Sequence, residues 1–179
     1  MRVLLDACIL FPTVLREVLI ATAAAGGYTP LWSGKILAEW RHAAARLGEG
    51  GDSIAGAEIA LLNADWPDAQ IAFDPASIDT LTLPDRNDRH VLAAAIAGQA
   101  DVLLTRNLRD FPSRVLARHN ILRRDPDSFL LDFAHSGEVD MAAITASVQA
   151  RTARISGREQ PLRPLLKRAG LPRLGKFLG

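Results

Sequence analysis

The sequence predicts an α/β fold, a parallel sheet of four to five strands flanked by helices. Three observations predict it. Short apolar runs at Val3-Leu4-Leu5, Ile71-Ala72-Phe73 and Val102-Leu103-Leu104 alternate with longer stretches of helical periodicity, the pattern of a parallel sheet covered on both faces. The first run stops at Asp6 and the third at the polar segment TRNLRDFP, as buried strands do when they feed loops at their carboxyl ends. Finally, 179 residues with 49% hydrophobic side chains suffice for a real core, since a domain of about 150 residues buries roughly 70% of its unfolded surface.

Residues 13–25 place Val14, Leu15, Val18, Leu19 and Thr22 at helical spacing, and Gly26-Gly27 ends that helix. Ser33 has the character of an N-cap for a helix over about 34–47, with Ile36, Trp40, Ala43 and Leu47 on one stripe. Asp52 or Ser53 caps the next helix, with Ile59 and Leu62 as core candidates, and Trp66-Pro67 breaks it. Residues 74–84 read as a loop with a helical turn near Pro75. Asp85 to Ala97 reads as a helix with Val91, Leu92, Ala95 and Ile96 inward and His90 toward solvent. A short helix over 113–118 and a strand at Ile121-Leu122 follow the TRNLRDFP loop. Asp125-Pro126 opens a helix, Pro being suited to the first turn. Helices over 138–152 and 161–169 complete the chain.

The lone cysteine, Cys8, can form neither an internal disulfide nor a Cys-rich zinc site. His42, His90, His119 and His135 show no zinc-ligand spacing. Phosphate-binding glycine motifs and a serine-nucleophile elbow are absent. No apolar stretch approaches the ~20 residues of a membrane span, and the N-terminus has no signal-peptide pattern, so a cytoplasmic protein without membrane contact is expected. Net charge is +1, unevenly spread. Residues 151–179 hold eight basic side chains against Glu159 alone, a net +7, which leaves −6 on residues 1–150. Such a tail suits contact with a polyanion, an acidic partner, or plain solvent. The charge shift suggests a boundary near residue 150.

Three acids fit a structural role poorly. Asp6 follows a buried strand and needs a partner, because an unpaired buried charge costs several kcal/mol; capping the next helix is the competing role. Asp88 falls between Val91 and Leu92 on the apolar stripe of its helix, whereas Asp85 suffices as cap. Glu39 lies just outside the edge of the Ile36, Trp40 and Ala43 stripe and, taken alone, reads more readily as an ordinary boundary residue than as a ligand. The TRNLRDFP loop adds Thr105, Asn107 and Asp110 at the same end of the sheet. Carboxylates brought together repel, and a hard cation such as Mg²⁺ or Mn²⁺ relieves the repulsion.

LLDACIL at 4–10, ILAEW at 36–40, DRNDRHVLAAAI at 85–96 and LLTRNLRDFP at 103–112 resemble PIN-domain proteins, with the nearest likeness to VapC-type toxins of bacterial toxin–antitoxin pairs. The resemblance covers about residues 1–135, and it implies a nuclease domain over 1–137 with a helical basic extension over 138–179 beyond the common core. It implies a Rossmann-like sheet and a Mg²⁺- or Mn²⁺-dependent endoribonuclease. Asp6, Glu39 and Asp88 match the family's first three acids, and Asp110 the fourth, as catalytic and metal-binding residues. Thr105 and Asn107 match hydrogen-bonding neighbours of the site. The family's first motif usually has Asn two positions after its Asp; here Cys8 stands there. Arg86, Arg89, Arg106 and Arg109 flank the acidic motifs and suit RNA phosphates. The resemblance further implies an antitoxin partner and a homodimer. Two rivals remain: a PIN fold of little catalytic power that binds RNA or protein, and a phosphotransferase with Asp6 as nucleophile. The usual second Asp of the latter is replaced by Cys8.

Overall fold

The computed structural model describes all 179 residues. Strand β1 (Arg2–Leu5) has Val3, Leu4 and Leu5 fully buried, and β4 (Val102–Leu104) is equally enclosed. Successive strand side chains point to opposite faces, so burial of consecutive residues means cover on both sides of the sheet. With β2 (Thr29–Ser33), β3 (Gln70–Ile71) and β5 (Leu122–Arg124) these form a five-stranded sheet of order β3-β2-β1-β4-β5. β1 runs parallel to both β2 and β4, and β2 parallel to β3. The order reverses at β1: the chain builds β2 and β3 on one side, then returns to place β4 and β5 on the other. In open parallel sheets such a switch point leaves a crevice beyond the strands' carboxyl ends.

β2 carries no expectation from the sequence, because Pro30 argues against an inner strand. The register explains its tolerance. Thr29 donates its N–H toward β1, to Met1 O, and Trp32 donates the other way, to Ala69 O beside β3. Residue 30 therefore faces the β3 side, where β3 has not yet begun, and the absent N–H leaves no ladder bond unmade.

Two compact units make up the chain. The first comprises Met1–Phe11 and Thr29–Arg123. It holds the sheet with helices α1 (Ala7–Leu10), α3 (Gly34–Ala45), α4 (Gly51–Asp65), α5 (Arg89–Ala97) and α6 (Ser113–Leu116). Ser33 caps α3 as expected, accepting from Ile36 N at 3.2 Å. α3 stops at Ala45, so Leu47 lies beyond it and is exposed. Gly51 is required at the tight turn into α4, since a Cβ there would stand 2.2 Å from Ala44 O. In α4, Leu62 is buried. α5 is preceded by a 3₁₀ turn over Arg86–Asp88, capped by Asp85, which accepts from Asn87 N at 2.8 Å. Ile96, expected inward, is exposed near the end of α5.

The second unit comprises Pro12–Tyr28 and Arg124–Gly179. It holds α2 (Thr13–Ala24), α7 (Pro126–Ser136), α8 (Met141–Ser156), α9 (Leu162–Arg168) and α10 (Pro172–Leu178). Tyr28, Phe129 and Phe133 pack as an aromatic cluster, and the Tyr28 hydroxyl donates to Leu19 O at 2.8 Å. Asp125 caps α7, accepting from Ser128 N at 3.0 Å. α10 was not foreseen in the sequence. Its first amides are held from a distance: Asp127, buried, accepts from Arg173 N at 2.9 Å and Leu174 N at 3.0 Å. An isolated seven-residue helix is unstable in water, so this remote cap fixes it. Asp127→Ala strands both donors and should lower stability by about 2 kcal/mol, read as a drop in thermal midpoint; an unchanged midpoint would remove the capping role.

Candidate functional site

The site is assembled by the pairing of β1 with β4. Leu5 is in register with Leu104, so the residues that follow, Asp6 and Thr105, emerge side by side at the switch point. The Asp6 amide continues the ladder, donating to Leu104 O at 3.2 Å. Asp6 is buried, yet its side chain makes no capping bond to α1, which removes the capping role considered from the sequence. Instead, its Oδ2 accepts from Thr105 Oγ1 at 2.7 Å and from Cys8 Sγ at 3.0 Å. Thr105 is fully buried, and its own hydroxyl oxygen accepts from Asn107 N at 2.9 Å. That bond directs the hydroxyl proton toward Asp6 and fixes the carboxylate's orientation.

Cys8 supplies the thiol donor to Asp6. Burial, with the Asp6 charge beside it, pushes the thiol up to about 12. It stays protonated and is no nucleophile.

Asp88 ends the 3₁₀ turn at the mouth of α5, and its Oδ2 accepts from Asn107 Nδ2 at 3.2 Å. Its carboxyl is raised to about 6, first by loss of solvation and then by repulsion from Asp6, Asp85, Asp110 and Glu39. Three other segments, together with Asp85 of the same turn, thus bring negative charge onto one half-buried carboxyl. Asp6, Glu39 and Asp110, each singled out in the sequence, all act on Asp88; Asp85 also adds to the field.

Glu39 is anchored from α5. Its Oε1 lies 2.7 Å from His90 Nε2. His90 is 1% exposed, which corrects the expectation that it faces solvent. The reason is that residues 90–95 of α5 are buried all round, so this helix has no polar face for a histidine to occupy. The near-unbroken apolar run from Val91 to Ala97 carried that signal. His90 Nδ1 and Arg89 Nε are buried without a hydrogen-bond partner. Arg86, Arg106 and Arg109 are exposed beside the acids.

A sequence profile of the PIN domain matches residues 2–109, more than half of the chain. The chain belongs to the PIN-domain family. The matched span takes in Asp6, Glu39, Asp88, Thr105 and Asn107; Asp110 lies just beyond it. A stretch of 45 residues is 51% identical to a protein of Mycobacterium tuberculosis (strain ATCC 25618 / H37Rv) named "Putative ribonuclease VapC50"; the stretch is 25% of this chain and 27% of that one. The likeness therefore spans about a quarter of either protein. No solved structure matches the chain.

The donors of this PIN domain are carboxylate oxygens, the chemistry of a hard cation. No three His, Cys, Asp or Glu side chains close on one point as they stand. Mg²⁺ commonly takes one or two protein carboxylates and keeps several waters, so the crowded acids around Asp88 fit a hydrated ion. Asp88 also fixes a pH dependence. Its folded-state value lies above the ordinary one, so the folded protein binds this proton more readily than the unfolded chain. The resulting penalty is present at neutral pH and is relieved as pH falls through about 6. Solvent screens a carboxyl this exposed, so in metal-free protein at neutral pH Asp88→Asn should raise the thermal midpoint by only roughly 2–4 °C, the equivalent of about 1 kcal/mol. The advantage should shrink on acidification through that range. A variant less stable than wild type at neutral pH would contradict this electrostatic account.

Proposed function

We propose that this PIN domain is a divalent-metal-dependent endoribonuclease of the VapC type, acting as the toxin of a type II toxin–antitoxin pair. The observation that carries the reading is the short chain of hydrogen bonds that runs from Asp6 through Thr105 and Asn107 to Asp88, beyond the carboxyl ends of β1 and β4 at the switch point of the sheet. The family match over residues 2–109 and the ribonuclease name of the partial relative support it.

On this reading Asp6 and Asp88 hold Mg²⁺ or Mn²⁺ directly, and Glu39 and Asp110 complete the site. When bound, such an ion supplies Lewis-acid polarisation of a phosphate oxygen and a water of lowered pKa. The protein's own part is positional. Thr105 and Cys8 hold Asp6 by its Oδ2, and Asn107 holds Asp88. Arg86, Arg89 and Arg106 supply cations for the phosphates on either side of the cleaved bond, as guanidinium groups commonly do. The substrate is RNA. An antitoxin that covers the acidic pocket and a homodimeric assembly belong to the same reading, as does a place in the cytoplasm; no helix is long and apolar enough to cross a membrane.

The decisive assay is cleavage of total RNA with Mg²⁺, Mn²⁺ or chelator. Cleavage should need the ion. Asp6→Asn and Asp88→Asn should each cut on the order of 1,000-fold more slowly, the equivalent of ~4 kcal/mol of transition-state stabilisation. Full activity in chelator, or in the double variant, would sink the proposal.

A further inference from the structure

We propose that the three C-terminal helices are a second contact surface for RNA, gripping the phosphate backbone independently of the acidic site. This inference rests on the ribonuclease reading and extends it. All eight cations of residues 151–179 are exposed. They recur at helical spacing: Arg151 and Arg154 on α8, Arg163 and Lys167 on α9, Arg173 and Lys176 on α10. The same helices bury Val148, Leu165, Leu166 and Leu174. Apolar anchoring of each helix thus leaves its cations in solvent.

Internal demands account for only part of this charge. Arg151 reaches Glu17 at only 3.6 Å, Arg168 hydrogen-bonds Gln160, and Arg173 lies beside Asp125. Arg154, Arg158, Arg163, Lys167 and Lys176 have no ion pair. Cations in a last helical turn offset the helix dipole, which explains Arg154, Lys167, Arg168 and Lys176 locally. Arg163 and Arg173 are each the second residue of their helix, where the dipole disfavours a cation. A surface that keeps cations against local preference fits an external polyanion.

The test is the salt dependence of binding. Full-length protein carrying Asp6→Asn is titrated with fluorescent single-stranded RNA, with and without the added changes Arg154→Gln, Arg158→Gln, Arg163→Gln and Lys167→Gln. Single strands give a slope of about −0.7 in log affinity against log salt per neutralised phosphate, so losing four contacts should flatten the slope by about 3. With Asp6 intact, the same four changes should leave cleavage of a very short RNA unchanged. Equal affinity and slope in both proteins overturns the proposal and points to an acidic protein as the partner of these helices. If the protein cuts no RNA at all, the ribonuclease reading fails, while the slope comparison still decides this one.

A different observation carries a second inference. The structure assigns His90 as a positioning residue for Glu39, tethering its carboxylate from a buried helix. The bond is 2.7 Å, and the ring is 1% exposed with Nδ1 unpaired, a costly arrangement for a merely structural histidine. Partners that orient metal-binding groups typically contribute 10–100-fold in metal affinity. Mn²⁺ titration of the folded protein should show at least ~10-fold weaker binding for His90→Leu, recovery in His90→Gln, which keeps a donor at the Nε2 position, and no further loss when Glu39→Gln is added to His90→Leu. Wild-type affinity in folded His90→Leu overturns the inference; no Mn²⁺ binding by wild type sinks it together with the metal reading.

Discussion

Everything at the site depends on β1 and β4 lying side by side with Leu5 level with Leu104. The two strands are separated by nearly a hundred residues, and their contact closes a long loop. Once made, it places Asp6 against Thr105, and Thr105 passes the constraint on to Asn107 and so to Asp88. The chain of contacts is short, and each link is a hydrogen bond of ordinary length. A slip of one residue between these strands would turn Asp6 into the opposite layer and break every later link.

The same arrangement sets stability against use. Four acids around a half-buried fifth destabilise the metal-free protein, and Asp88 responds by holding its proton more tightly. Nothing in packing requires this crowd, since Asp85 caps the turn without it. Strain of this kind is commonly kept where function needs it. Cys8 eases it in part: a protonated thiol beside Asp6 donates a hydrogen bond without adding charge.

Much of this was legible in the sequence, and the exceptions have physical causes. Uninterrupted apolar runs marked β1 and β4, and the acids after or inside apolar patterns drew attention to Asp6 and Asp88. β2 was hidden by Pro30, whose fault disappears only when its neighbours' register is known. α10 was hidden because its stability comes from Asp127, forty-odd residues earlier, rather than from its own seven residues. His90 was misjudged because wheel geometry assumes that a helix has a wet side, and α5 has none at residues 90–95. Local pattern therefore reported which residues were unusual, while long-range contacts decided what surrounds them.

Pro30 has one more consequence. A sheet margin with free amide donors invites a strand from another molecule to add on. Beside β2, the ladder on the outer side is only two residues long, and the position next in line along it has no donor to offer. The margin is thus blunted at small cost, which discourages fibril-like stacking of a chain whose central strands are as apolar as any aggregation-prone segment.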